Sequence, residues 1–579
     1  MKQKLIQYLK ENIKTSQELN YEKLLEKPKN QVHGDFSFPC FLLAKDLQKA
    51  PPMIAKDLET QLKENLPQEF EKVQAMGPFL NFTINSEKIT KTILKSIETN
   101  QHQNIKSKNP QKILIEYPSP NTNKNLHIGH VRNILLGNSL TNILKATKNE
   151  VIKTSINNDR GIAICKAMMG YEMFYKDKTP ESENIKSDEF IAKCYVKFEQ
   201  ATKQDETLNQ KAQEMLVKWE QGDKETKALW EKILNWVYQG YKETFKNYKL
   251  GEFNTQFYES EIYDKGKEIV EKAIKDKIKG FQYDKETGAA LVDFENETFG
   301  KKYLIRGDGT TLYMTQDLYL DKLKQEKFNA DKNIFIVGKE QQYHFEVLFE
   351  ILNRLNPTQK NKNYHFAYGY VFNKDGTKFS SRAGNVVGAD WLLNEMIEHS
   401  KNNLLNKELT KNLEKEELEK RAKIIGYGAL AFSMLNVNPM SDIKFDIDKA
   451  LAFEGETGPY VQYTYARIKS ILRKAKTENI TTENIEFNNF NQTEINLIKQ
   501  LGEFENIVLQ AEQKYKPSAI SNYLVRICQN FNEFYQNNKI LGEEADKNKL
   551  QQRLLLIEST SKIISEGLKL LGIETLEEM

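Results

Sequence analysis

The chain has 579 residues, 39% of them hydrophobic, with 30 Phe and 26 Tyr. That is too apolar for a disordered chain and long enough to require at least two hydrophobic cores. The 84 basic and 81 acidic residues leave a net charge of +3, which neither demands nor excludes a nucleic-acid partner. No run reaches the ~18 uninterrupted apolar residues of a membrane span, and M-K-Q-K-L-I-Q-Y-L-K-E at the start has no signal-peptide core. Cys40, Cys165, Cys194 and Cys528 lie far apart with no C-x-x-C pair, so neither a zinc site nor a disulfide framework is expected. The composition points to a soluble, cytoplasmic protein with no membrane contact.

Three regions separate along the chain. Residues 1–105 open with an amphipathic helix, pass through the turn-rich H-G-D-F-S-F-P at His33–Pro39, and contain a helix after Pro51–Pro52 and a short strand in Gly77–Ile84; this predicts a small α/β domain. Residues 106–409 begin with the buried-strand pattern K-I-L-I-E-Y at Lys112–Tyr117, stopped by Pro118 and Pro120. Helical spacing then runs from Val131 to about Thr147, and a second strand follows at Val151–Ile156. Strand, helix, strand in so few residues predicts a βαβ unit and a parallel sheet. A further apolar strand at Asn333–Gly338 comes much later, so the charged helical stretch from about 170 to 250 is an insertion within the sheet domain. Residues 410–579 read as helical throughout, with apolar residues at three- and four-residue spacing in Gln462–Ala475 and Leu554–Leu571, the pattern of a helix bundle.

Two segments carry chemistry. S-P-N-T-N-K-N-L-H-I-G-H-V-R-N at Ser119–Asn133 lies where the first parallel strand ends and a helix begins, the ligand edge of an open α/β sheet. A helix N-terminus favours an anion such as phosphate. His127 and His130 can aim imidazole donors at the same point, and Gly129 permits close approach of a flat base. This strand–H-I-G-H–helix arrangement resembles the nucleotide-binding motif of class I aminoacyl-tRNA synthetases. The second segment, F-N-K-D-G-T-K-F-S-S-R-A-G-N-V-V at Phe372–Val387, resembles the family's K-M-S-K-S loop. Alone, such a loop is usually solvated surface; about 250 residues after H-I-G-H it reads as the loop whose Lys378 reaches a phosphate gaining charge. Ser381 stands where the family has a second Lys, and Lys124, three residues before His127, is the expected replacement; Arg382 is the competing one.

Within that class the chain resembles arginyl-tRNA synthetases over nearly its whole length. H-G-D-F with G-P-F-L-N-F resembles their appended N-terminal domain. T-L-Y-M-T-Q-D-L-Y-L at Thr311–Leu320 resembles their Y-x-x-x-D helix. A-L-A-F-E-G-E-T-G-P-Y-V-Q-Y-T-Y-A-R at Ala450–Arg467 and the ending L-L-G-I-E-T-L-E-E-M at Leu570–Met579 resemble their anticodon-binding domain.

The resemblance implies a fold and a set of roles. The fold is α/β: a parallel-sheet Rossmann-type catalytic domain with insertions, a small α/β N-terminal domain and an all-α anticodon-binding bundle. His127, His130, Lys378 and Lys124 would be catalytic, and Pro120, Gly129, His344, Ser380 and Ser381 would contact ATP. Tyr313 and Asp317 would hold the guanidinium with Glu259, Glu261 being the alternative if the local alignment slips. Glu116, Asn121 and Gln341 would bind the amino end of arginine. The chemistry agrees, because a guanidinium needs a carboxylate and oxygen acceptors in a fixed plane, and Tyr313 and Asp317 share a helix face. Tyr460, Tyr463 and Arg467 also share a helix face, a stacking platform for unpaired bases, and with Met579 would contact tRNA; one of the two tyrosines could instead be core. Asn157–Gly161 and Gln342–His344 read as loops at the nucleotide edge; N-N-D-R-G in the first resembles the family's N-D-x-G, whose own role the sequence does not give. The implied reaction is ATP-dependent attachment of L-arginine to its tRNA through arginyl-adenylate, with Mg²⁺ on ATP, no protein-bound metal, tRNA required for activation and no editing domain. A monomer is expected. A cysteinyl enzyme would show clustered zinc ligands, and a glutamyl enzyme a cationic pocket; neither pattern is present in the sequence.

Overall fold

The computed structural model describes the chain apart from residues 17, 29–32, 296–297, 378–387, 407–412, 479–484 and 543–545. The described residues gather into two compact units. One comprises Met1–His102, Ile471–Phe504 and Gln529–Ile563; the other comprises Gln103–Ser470, Glu505–Cys528 and Ile564–Met579.

The first unit is built on three antiparallel strands, β1 (Phe36–Pro39), β2 (Phe70–Met76) and β3 (Phe79–Ile84), in the order β1-β3-β2. The helix Pro51–Lys63 starts on two prolines, whose missing N–H groups and fixed φ suit a first turn. It buries Ile54, Leu58 and Leu62 at helical spacing. These join Leu5 and Leu9 of the N-terminal helix and Phe38, Leu80 and Phe82 of the sheet in one apolar core. The H-G-D-F turn has a local cause. Gly34 sits at φ +117°, where a Cβ would lie 2.8 Å from the Phe82 carbonyl oxygen, and the next residue, Asp35, accepts from the Ile84 N–H at 2.9 Å. Among the later helices of this unit, the buried Glu494 is paired with Lys549 and Arg553, each at 2.8 Å.

The second unit holds a five-stranded parallel sheet. In chain order come β4 (Lys112–Glu116), β5 (Glu150–Asn157) and β6 (Thr255–Tyr258), an antiparallel meander of β7 (Phe281–Tyr283), β8 (Ala290–Asp293) and β9 (Lys301–Ile305), then β10 (Lys332–Gly338) and β11 (Asn363–Tyr368). The spatial order is β11-β10-β4-β5-β6. The chain therefore moves from β4 outward to β6, then returns to the other side of β4 with β10. That reversal opens a crevice at the carboxyl ends of β4 and β10, the ligand position of doubly wound sheets. The expected insertion is four helices, Ile162–Phe174, Ser187–Thr202, Thr207–Glu220 and Lys224–Asn247, between β5 and β6. No helix among the described residues is long and apolar enough to cross a membrane.

One feature departs from the sequence reading. The region after residue 410 is not helical throughout, because β13 (Ile443–Phe445) pairs in parallel with β12 (Val371–Asn373). Its buried-exposed-buried alternation spans only three residues, too short a period to detect in sequence. The helices after residue 470 contribute to both compact units.

The central helix, Ile128–Ala146, is fastened from one side by Arg132, which is fully buried and donates to the carbonyls of Gly369 at 2.6 Å and Pro439 at 3.1 Å. Asn133 donates to the Ile336 carbonyl of β10 at 2.7 Å. On another side, Gly137 lies against the buried Tyr117 ring, where a Cβ would overlap ring carbons. In a helix interior Ala is normally favoured over Gly by about 1 kcal/mol. Here the sign is expected to reverse: Gly137→Ala should destabilise by about 1–3 kcal/mol through overpacking. Thermal unfolding of the variant beside the parent checks this, and a raised Tm would refute the close contact.

Candidate active site

The helix Ile128–Ala146 begins with a reciprocal cap made by its two histidines. His127 is the N-cap, and its Nδ1 accepts from the Gly129 N–H at 3.1 Å; the Nδ1 of His130 accepts from the His127 N–H at 3.1 Å. The ring centroids are 4.0 Å apart. Gly129 is constrained from within the chain, since a Cβ there would meet the His127 ring at 2.9 Å.

The charge state follows from the surroundings. Desolvation, then the nearby Lys124 charge, pushes His127 down to about 4. Desolvation, His127 and Lys124 hold His130 well below its ordinary value. Both rings are therefore neutral at physiological pH. Backbone N–H groups occupy both Nδ1 atoms, so each ring carries its proton on Nε2 and presents a donor at the positive end of the helix dipole. A phosphate oxygen suits that arrangement.

The loop leading into this helix is held from a distance. Tyr241, buried on the insertion helix Lys224–Asn247, shares its one hydroxyl proton between the carbonyls of Asn121 (2.8 Å) and Lys124 (2.7 Å). Thr122 donates to the Asn158 carbonyl at 2.8 Å, and Ser155 to the Pro118 carbonyl at 2.8 Å. Within this loop Pro120 is buried and Asn121 exposed. Lys124 forms no ion pair with any described carboxylate.

Lys378, Ser380, Ser381 and Arg382 lie outside the described residues. The ends flanking them are anchored. Asn373 and Thr377 close a turn after β12, with the Asn373 N–H on the Thr377 carbonyl at 3.0 Å. On the other side Gly388 forms a bridge with His127, and the Ala389 N–H donates to the Leu126 carbonyl at 2.9 Å.

Across the strand ends, an acidic group collects. Glu259 follows β6 directly and is 7% exposed, whereas Glu261 is exposed. Burial pushes the Glu259 carboxyl up to about 7; Arg160 opposes the shift, and Asp159 and Asp317 reinforce it. No described residue hydrogen-bonds its carboxylate. Asp159, of the N-D-R-G segment, is buried and accepts from the Ser260 N–H (2.9 Å) and hydroxyl (2.8 Å). It thereby fixes the residue adjoining Glu259, a role the sequence did not reveal. Arg160 pairs with Glu220 of the insertion and lies over the Tyr263 ring at 3.9 Å. Tyr313 opens the helix Tyr313–Phe328 and is 74% exposed. Asp317, one turn on, accepts from the Nε2 of His344 at 2.8 Å, and that hydrogen bond raises the His344 pKa. Gln341 is exposed at the N-cap of the helix Gln342–Leu355. Glu116, at the end of β4, is 7% exposed and pairs with Lys324 at 2.5 Å, so a substrate would meet a carboxylate that already has a cation. Among the described residues no three His, Cys, Asp or Glu side chains form a metal site.

Comparison with known proteins decides the family. The model described as tRNA synthetases class I (R), catalytic domain, matches residues 92–447. The DALR anticodon binding domain matches residues 461–579, and the arginyl tRNA synthetase N terminal domain matches residues 3–84. The chain is 39% identical to the arginine–tRNA ligase of Bacteroides fragilis, over 96% of this chain and 95% of that one. To that of Treponema denticola it is 37% identical, over 96% and 94%. The chain belongs to the arginyl-tRNA synthetase family. The arginyl-tRNA synthetase structure of Thermus thermophilus superposes with a TM-score of 0.81 at 25% identity, covering 100% of this chain and 99% of that one. That of Plasmodium falciparum shares the fold, with a TM-score of 0.76 at 20% identity over 100% and 97%. As in that family, a Rossmann-type parallel sheet is accompanied by a small N-terminal domain and a helical DALR domain.

The residues expected to face tRNA lie on or beyond the helix Gly458–Thr477. Tyr463 is 39% exposed, with its ring edge-on to Phe453 at 6.2 Å. Tyr460 and Arg467 are half-buried, and the inward-facing tyrosine is Tyr465. Met579 is half-buried. The tail before it is tied down: Gln462 donates to the Glu574 carbonyl at 2.8 Å, and Arg421 pairs with Glu578 at 3.1 Å.

Tyr241 offers a direct test of the loop's dependence on the insertion. Tyr241→Phe should lower stability by about 0.5–1.5 kcal/mol, the worth of an ordinary hydrogen bond. It should lower kcat/KM by more than tenfold, because the loop of Asn121–Lys124 loses its alignment. Parallel unfolding and steady-state kinetics separate the two effects; an unchanged kcat/KM contradicts the positioning role.

Proposed function

We propose that the crevice at the carboxyl ends of β4 and β10 carries out the family's reaction, ATP-dependent attachment of L-arginine to its tRNA through arginyl-adenylate. The observation that supports this best is the pairing of two halves on one sheet edge. One is a helix N-terminus with two outward imidazole donors; the other is a buried, unpaired carboxylate, Glu259, coupled to Asp317.

The arginine carboxylate attacks the α-phosphorus in line, and pyrophosphate leaves. A terminal ribose hydroxyl of tRNA then takes the arginyl group, releasing AMP. Nε2–H of His127 and His130, at the positive end of the helix dipole, bind phosphate oxygens, more strongly as they gain charge. Pro120 and Gly129 border the nucleotide, Lys124 supplies a cation, and Lys378, Ser380 and Ser381 act from the loop. Glu259, Asp317 and the Tyr313 hydroxyl accept from the guanidinium, giving planar specificity that lysine cannot match. Asn121, Gln341 and the second oxygen of Glu116 take the amino group, and His344 passes from Asp317 toward the nucleotide when arginine arrives. Tyr460, Tyr463, Arg467 and Met579 contact the anticodon loop. Magnesium enters on the ATP phosphates as part of the substrate. Action as a cytoplasmic monomer belongs to the same proposal.

Pyrophosphate exchange with ATP and arginine, with and without tRNA, tests the reaction. Exchange that ignores arginine would remove the reading. Within it, Asp317→Asn should raise the arginine KM at least about thirtyfold, the consequence of about 2–5 kcal/mol lost when a buried charge pair is broken, with the ATP KM little changed. The pH dependence has a definite sign. Glu259 is protonated below about 7 in the free protein and must lose that proton to receive a guanidinium, so the arginine KM should rise as pH falls through 7. For the same reason the native state binds the extra proton, so Glu259 stabilises the fold less as pH rises from its ordinary carboxyl range through 7. Glu259→Gln should flatten the KM profile around pH 7; an unaltered profile assigns the titration elsewhere.

A further inference from the structure

Away from the crevice, the flank of the sheet carries a cavity of about 260 Å³ that the reaction above does not use. Its volume is slightly below the roughly 300 Å³ at which small-ligand clefts begin, enough for one planar group with a sugar. One wall is the ring pair Tyr364 of β11 and Tyr515, with centroids 5.0 Å apart. The other is Phe345 stacked on His365 at 4.5 Å and 23°.

Tyr515 is held in an unusual way. It lies between the helices Phe504–Gln513 and Ser518–Asn537 at φ +50°. This is the left-handed position that glycine normally takes after a helix and that a bulky side chain strains to adopt. The Lys516 N–H closes the turn on the Ala511 carbonyl at 2.9 Å. A strained residue whose ring lines an open cavity is a reason to look for a ligand.

The charge around the cavity defines that ligand. Lys514 and Lys516 flank Tyr515 on the lining, and neither forms an ion pair with a described carboxylate. Lys332 adds a third cation, 5.8 Å above the Tyr364 ring. Aromatic faces bordered by lysines are how single-stranded nucleic acids are gripped without regard to sequence. One acid, Glu346, also lines the cavity; one of its oxygens accepts from Gln342 at 2.9 Å. The other is free to accept from an exocyclic amine, as on cytosine or adenine, which uracil lacks.

We propose that this cavity binds one unpaired nucleotide with an amino-bearing base, the base on the Tyr364–Tyr515 wall and the phosphate on Lys514 and Lys516. The source is either an unpaired position of tRNA or a free mononucleotide.

Tyr515→Gly is the informative variant, because it removes the ring and relieves the backbone together; its Tm should be equal or higher. Filter binding of a transcript of the tRNA for arginine should weaken about tenfold in this variant and in Tyr364→Ala, the scale of one lost base stack. The double variant Lys514→Ala, Lys516→Ala should reduce the slope of log affinity against log salt by about 1, the contribution of one phosphate. Equilibrium dialysis should show the parent binding CMP in preference to UMP, and Tyr515→Gly should lose this. Loss of CMP binding with unchanged tRNA affinity supports the site and assigns it to free nucleotide. If Tyr515→Gly lowers Tm, the Tyr364 and lysine variants carry the test. Unchanged tRNA affinity and salt slope together with no CMP binding by the parent would overturn the proposal. These binding assays do not require charging, so failure of the parent to attach arginine would count against the active-site reading alone.

Discussion

The candidate active site depends on one local interaction, the mutual capping of a helix by His127 and His130. Each imidazole satisfies a backbone N–H at the start of the helix Ile128–Ala146, an end that otherwise leaves several donors without partners. The cap does two things together. It fixes both rings, and it uses their Nδ1 atoms so that the remaining proton faces outward; desolvation and Lys124 keep the rings uncharged. The rest of the second unit keeps that helix end in place. Arg132 and Asn133 tie the next turn to the strand β10 and to the Gly369 and Pro439 carbonyls, and Gly388 bridges to His127 itself.

The acidic group across the strand ends works by a different balance. Asp159, Glu259 and Asp317 bring three carboxylates near one another, and burial raises two of them, Asp159 and Glu259, above their ordinary range. The chain offsets this in part with Arg160, held by Glu220 and Tyr263, and with His344 on Asp317. A site so arranged is short of positive charge at Glu259, where a substrate guanidinium would supply it. Under the proposed function, its electrostatics and its specificity have the same origin.

How much of this was legible in the sequence follows from how local each feature is. The strand Lys112–Glu116, the histidine pair and the helix after it could be read because the pattern and the cap lie within a few residues of each other. The same is true of Tyr313 and Asp317, one helical turn apart. Glu259 and Glu261 could not be separated by spacing, and burial alone distinguishes them. Tyr241 gave no signal, since its two acceptors are about 120 residues away in the chain. The N-D-R-G segment was visible as a motif but gained a function only when β5 and β6 paired and set Asp159 against Ser260. β6, with four residues, and β13, with three, were too short to show a period. Arg132, beside H-I-G-H, received no assignment from the sequence, because its partners are the Gly369 and Pro439 backbone carbonyls far along the chain.

The central claim, that both capping histidines are neutral and carry their proton on Nε2, can be measured directly. Nitrogen NMR on protein labelled at its seven histidines, assigned with His127→Asn and His130→Asn, reports tautomer and charge for each ring. The account predicts two rings in the Nε2–H form whose signals do not move between about pH 5 and 8, a range in which an ordinary histidine titrates. Titration of either ring near its ordinary value, or an Nδ1–H form, would contradict it.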